Sequence, residues 1–129
     1  MAGEGAGGGG AALARALRQA VDDAEAELAR MPFFVRPMVK HGFASRTGRS
    51  YGAWRDVLDA VAAAGTPAAA RARQPDLAGD LERLAENFRT APERARKGMG
   101  ADAEAMRAVE ERARAREAAA RALAAWLAG

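Results

Sequence analysis

Apolar side chains recur at helical spacing through most of the chain. Leu13, Leu17, Val21, Ala24, Leu28 and Met31 fall three or four residues apart, which predicts an amphipathic helix over about 11–31. Trp54, Val57, Leu58 and Val61 form the stripe of a helix from Tyr51 to Ala64, with Ser50 as its N-cap and Gly65 and Pro67 as its stop. Leu77, Leu81, Leu84 and Phe88 predict a helix that opens at Pro75 and ends near Arg89. Met106, Val109, Ala113, Ala120, Leu123 and Leu127 give a last helix over about 102–128, with Trp126 set to dock it onto the rest of the chain or onto a partner. No apolar run has period two, so no strand is expected.

The segments between these stripes are set by proline and glycine. Pro32 and Pro37 predict an irregular corner over Pro32–Arg36, because the residue before a proline resists helical geometry. A helix from about Pro37 to Arg46 follows, closed by Gly48 in the left-handed conformation. Residues 66–74 read as a short helix or a loop. Thr90, Ala91, Pro92 and Glu93 match a capping box and predict a separate helical turn that stops at Gly98–Gly100. The glycine-rich residues 1–10 are expected to form a flexible tail. The expected fold is all-α: a compact bundle of about five helices in one domain over 11–129. Within it, 11–64 makes an aromatic and basic helical-hairpin region, and 66–129 makes helices rich in Ala, Arg and Glu.

Composition narrows the chemistry. The chain has no cysteine, which excludes disulfides, thiolate metal sites and a cysteine nucleophile. Its one histidine, His41, rules out a multi-histidine site within one chain. Ser45 lies one helical turn from His41, but no nucleophile elbow or oxyanion hole is recognisable. Catalysis by this chain alone is therefore not expected, and no cofactor or metal is implied. The positive charge comes almost entirely from arginine, in a chain also rich in alanine, and a compositional bias accounts for both. No apolar run reaches the roughly 20 residues that span a bilayer. The N-terminus has no signal-peptide pattern, so a cytoplasmic protein is expected.

The chemically dense stretch is 28–58. It holds Phe33, Phe34, Phe43, Tyr51 and Trp54, together with Arg30, Arg36, Lys40, Arg46, Arg49 and Arg55, and no acid lies between Glu27 and Asp56. Aromatic anchors beside arginine are what binding sites tend to use. The candidate binding residues are Phe33, Phe34, Arg36, Lys40, Arg46, Arg49, Trp54 and Arg55. Arg36 is set either to grip an acidic group outside the chain or to bridge to Glu27 or Asp23. The Thr47–Ser50 turn is either an anion site at a helix start or a plain capped turn.

The run from Ala24 to Arg36, with its Pro32-Phe33-Phe34-Val35-Arg36 core, followed by Met38, Val39 and Lys40, resembles the small helical C-terminal domain of the B subunit of light-independent protochlorophyllide reductase. The resemblance covers about 22–62. It implies a helical module with assembly or ligand-shielding duties. It does not imply reductase activity, since the large subunit and its cluster cysteines are absent.

The expected function is that of a non-catalytic binding or assembly module. Its aromatic-basic corner would hold an acidic protein or an anionic ligand. Nucleic-acid binding is one alternative, weakened by 17 acidic residues, most of them spread through the flanking helices. An accessory subunit of a tetrapyrrole or iron–sulfur reductase-like enzyme is the other.

Overall fold

The apolar stripes become the buried seams of six α-helices in a computed structural model that describes residues 2–99 and 102–129. Helix α1 (Ala2–Ala26) runs into a 3₁₀ turn (Glu27–Arg30). Then come α2 (Arg36–Thr47), α3 (Tyr51–Ala64), α4 (Pro67–Arg73), α5 (Leu77–Met99) and α6 (Ala103–Ala128). No strand occurs among the described residues. The most extensive pairing is between α5 and α6. Helix α1 lies against α3 and α6, α2 rests on α5, and α4 bridges α3 and α6.

The core is thin and continuous. Leu17 and Val21 of α1 meet Phe43 of α2, Trp54, Leu58 and Val61 of α3, Leu77, Leu81 and Leu84 of α5, and Leu123 and Leu127 of α6. Buried Ala14, Ala70, Ala85 and Ala120 lie among them, and their small side chains let the helix backbones approach. Phe43 stacks on Tyr51 with ring centroids 3.9 Å apart and planes 4° from parallel.

Local capping follows the sequence closely at the α2–α3 and α3–α4 turns. Gly48 ends α2 with φ 87°, and its N–H donates to the Ala44 carbonyl at 2.8 Å. The left-handed region is open to glycine at little cost. The Ser50 hydroxyl accepts the Ala53 N–H at 3.1 Å, and Gly65 ends α3 with φ 81°. The Thr66 hydroxyl caps α4 in the same way, from Ala69, with Pro67 in the first turn. That cap turns residues 67–73 into a sixth helix where about five were expected.

Two boundaries differ. The helix expected to end near Arg89 continues to Met99, with Pro92 inside it. The Thr90 hydroxyl does not cap a new start. It donates back to the Glu86 carbonyl at 3.0 Å, and the Arg94 guanidinium reaches back to Thr90 Oγ1 and the Asn87 carbonyl, both at 2.7 Å. Packing on α6 holds the helix through the proline, whose missing N–H and ring would otherwise break it. At the other end, the helix expected to start near Ala11 already includes Gly9 and Gly10. Gly10 is buried, and a Cβ there would lie 2.3 Å from the Trp126 ring. Of the flexible tail expected over 1–10, Met1 lies outside the described residues, as do the side chains of 2–8.

Candidate functional site

Among the described residues, three large apolar side chains are left exposed, and all belong to the corner between the 3₁₀ turn and α2. Phe33 is 78% exposed, Phe34 72% and Met38 70%. The two phenyl rings meet edge to face, with centroids 5.9 Å apart. Met38 lies in the first turn of α2, while Phe43 turns inward and Val39 packs against the core.

Arg36 is what fixes this corner. Its Nε donates to the Met31 carbonyl and its Nη2 to the Ala29 carbonyl, both at 3.1 Å. Those carbonyls belong to the end of the 3₁₀ turn, where intrahelical donors run out. Arg36 therefore neither bridges to Glu27 or Asp23 nor points free. It ties the start of α2 to the turn before it and leaves the Phe33–Phe34 tip outside. Arg30, Lys40 and His41 stand exposed around the tip.

The other candidate side chains are drawn into the bundle. Trp54 has no solvent exposure, and its Nε1 donates to Thr47 Oγ1 at 3.0 Å. It belongs to the core stripe of α3 and offers no surface to a partner. Arg49 lies over the Trp54 ring, with Cζ 5.5 Å from the centroid. Its Nε is 3.0 Å from Asp80 Oδ2, a close ion pair without hydrogen-bond alignment. Arg55 binds Glu25 and lies 3.5 Å from Asp22, which ties α3 to α1. With Ser50 used as a cap and Arg49 paired, the Thr47–Ser50 segment is a capped turn whose neighbouring charge is already matched. Among the eight candidates, then, the fold brings Phe33, Phe34 and Lys40 to one exposed corner, braced by Arg36.

A scan of protein-family models, a search of curated proteins and a search of solved structures each find no significant match. The resemblance of residues 22–62 to the protochlorophyllide reductase domain gains no support from them.

Arg46 goes elsewhere. It stays exposed, but its Nε donates to the side-chain oxygen of Asn87 on α5 at 2.7 Å. The same oxygen accepts from Arg94 Nη2 at 3.1 Å. Burial, and then the nearby charge of Arg46, hold the Arg94 guanidinium below its ordinary value. Arg94 carried no mark at the sequence level beyond one: the residues a helical turn away on either side, Thr90, Ala91, Lys97 and Gly98, include no acid.

Two open depressions on the surface, of about 300 and 260 Å³, are lined by arginine, glutamate, aspartate, alanine and proline and hold neither His41 nor a serine. Among the described residues, no three acidic or histidine side chains converge as a metal set, and no helix is long and apolar enough to cross a membrane.

Proposed function

We propose that the chain is a binding module that docks a protein partner through the Phe33–Phe34–Met38 corner. The observation that supports this is the exposure of those three side chains within six residues, with the two phenyl rings in edge-to-face contact. Apolar contacts clustered at a surface are a cost in water unless something covers them. With both rings more than 70% exposed, the partner would have to supply the apolar pocket that covers them. The exposed cations Arg30 and Lys40 flank the tip, in a stretch with no acid between Glu27 and Asp56, so the rim of that pocket is acidic. Nucleic acid is the less favoured ligand, because Arg49 and Arg55 are neutralised by Asp80, Glu25 and Asp22 and do not extend a basic track.

The test compares wild-type protein with a Phe33→Ser/Phe34→Ser double variant as bait, followed by mass spectrometry and titration of the purified partner. Both side chains are exposed, so circular dichroism and melting should be unchanged. Loss of buried aromatic anchors typically costs about 2 kcal/mol or more each, so binding should weaken by more than about a hundredfold. Recovery of the same proteins in equal amounts by the variant would end this reading.

A further inference from the structure

Several arginines in this bundle are matched by carboxylates. Arg18 faces Asp59, Arg55 faces Glu25, Arg96 faces Glu110, Arg116 faces Glu27 and Arg121 faces Glu117. Arg46 and Arg94 are held differently. They come from different helices, α2 and α5, and converge on one neutral atom, the side-chain oxygen of Asn87, at 2.7 and 3.1 Å. Asn87 is buried, so the meeting point is fixed within the protein. Arg94 is held further by Thr90 Oγ1 and the Asn87 carbonyl. The remaining polar contacts are with oxygens that carry no full charge.

Two guanidinium groups beside each other repel, and an amide oxygen does not neutralise either. Glu93 offsets this at Arg94 only in part, less than burial and Arg46 act the other way. One turn either side of Arg46 stand Gly42, Phe43, Arg49 and Ser50, and one turn either side of Arg94 stand Thr90, Ala91, Lys97 and Gly98. Glu93 is the nearest acid in sequence, and it makes no ion pair among the described residues. Gly42 leaves space over which the Arg46 guanidinium lies: a Cβ there would be 2.9 Å from Nη1. Tyr51 packs nearby, and its hydroxyl makes no hydrogen bond among the described residues. Arg46 is exposed, so the pair is open to solvent on one side.

We propose that Arg46 and Arg94, bridged by Asn87, form a binding site for a phosphate dianion, either free or as the monoester of a small molecule. Two fixed positive charges match a dianion, and the planar fork of each guanidinium suits the oxygens of a phosphoryl group. The site stands apart from the apolar corner and does not depend on it.

The experiment follows the arginine Nε–Hε signals of the full chain by NMR at a pH of about 7.5, where a phosphate monoester is mostly dianionic. Inorganic phosphate and glycerol phosphate are titrated separately against potassium chloride of equal ionic strength. The Arg46 and Arg94 signals should move saturably with both phosphates and not with chloride. Loss of one charged donor should weaken binding about tenfold or more in Arg46→Gln and in Arg94→Gln, whereas Arg15→Gln on an exposed part of α1 should bind as wild type. Should Arg94→Gln fail to fold, Arg46→Gln decides alone, since its side chain is exposed. Equal movement of all arginine signals, or unchanged affinity in Arg46→Gln, overturns the proposal. Dimethyl phosphate, a monoanionic diester, should bind more weakly. Equal or tighter binding of the diester also overturns it, in favour of a nucleic-acid backbone.

Discussion

Replacing Thr47 by valine preserves the shape of a side chain with no solvent exposure and removes only its hydroxyl. That oxygen sits at the centre of the α2–α3 turn. It accepts the Trp54 indole N–H at 3.0 Å and, more loosely, the Arg49 amide at 3.4 Å. Its single proton goes to the Phe43 or the Arg49 carbonyl, each 2.9 Å away. In Thr47→Val the indole N–H is sealed in the core without an acceptor. An orphaned buried donor costs about 1–3 kcal/mol, and the lost hydroxyl donation about 1 more. The expected total is about 2–4 kcal/mol, or a fall in Tm on the order of 8–16 °C for a domain of this size. Urea unfolding followed by far-UV circular dichroism measures it, with the slope unchanged if the transition stays two-state. A double-mutant cycle isolates the cause. In a Trp54→Phe background no indole donor remains, so Thr47→Val should cost only about 1 kcal/mol. A coupling below about 0.3 kcal/mol, the usual limit of additivity, would show that the indole–hydroxyl bond is not what holds the turn.

Gly48→Ala should destabilise by about 1–2 kcal/mol, because φ is positive there and the added Cβ would lie 2.9 Å from Asp80 Oδ1; wild-type stability in a urea titration would contradict this. Arg36→Ala should lower stability by about 1–2 kcal/mol through the freed Ala29 and Met31 carbonyls, whereas an unchanged Tm with weaker partner binding would make Arg36 a recognition residue after all. Burial is the main effect that pushes the Tyr51 phenol above its ordinary value of 10.0. A raised folded value means the folded state holds its proton longer. That contribution to stability is complete below pH 10.0 and is lost as pH climbs through the folded value. Melting curves across this alkaline range should show a decline that Tyr51→Phe lacks.

The turns were the most legible part of the fold, because their chemistry is local. Gly48, Ser50 and Gly65 act through backbone geometry within a few residues, and the sequence places them correctly. Pro92 misled for the same reason. Thr90-Ala91-Pro92-Glu93 is a good local start signal, and what overrides it is distant: the packing of α5 on α6, with buried Asn87 and Phe88 just before it. The corner was half legible. Phe33 and Phe34 lie in the proline-set corner and stay exposed. Trp54 lies squarely within the stripe of α3, and that position, rather than its ring chemistry, decided its burial. The arginines could not be sorted by sequence at all. Arg55 finds Glu25 across 30 residues, and Arg46 finds Asn87 across 41, distances at which only the finished bundle selects partners.

One contact links regions that no local rule connects. Arg71 Nη1 donates to the Leu127 carbonyl at 2.5 Å, so a side chain on the shortest helix completes the final turn of the longest. Fraying at that terminus and undocking of α4 should be one event, with amide protons on both exchanging at a common rate. A seven-residue helix too short to persist by itself thus acts as a latch on the last turn of α6.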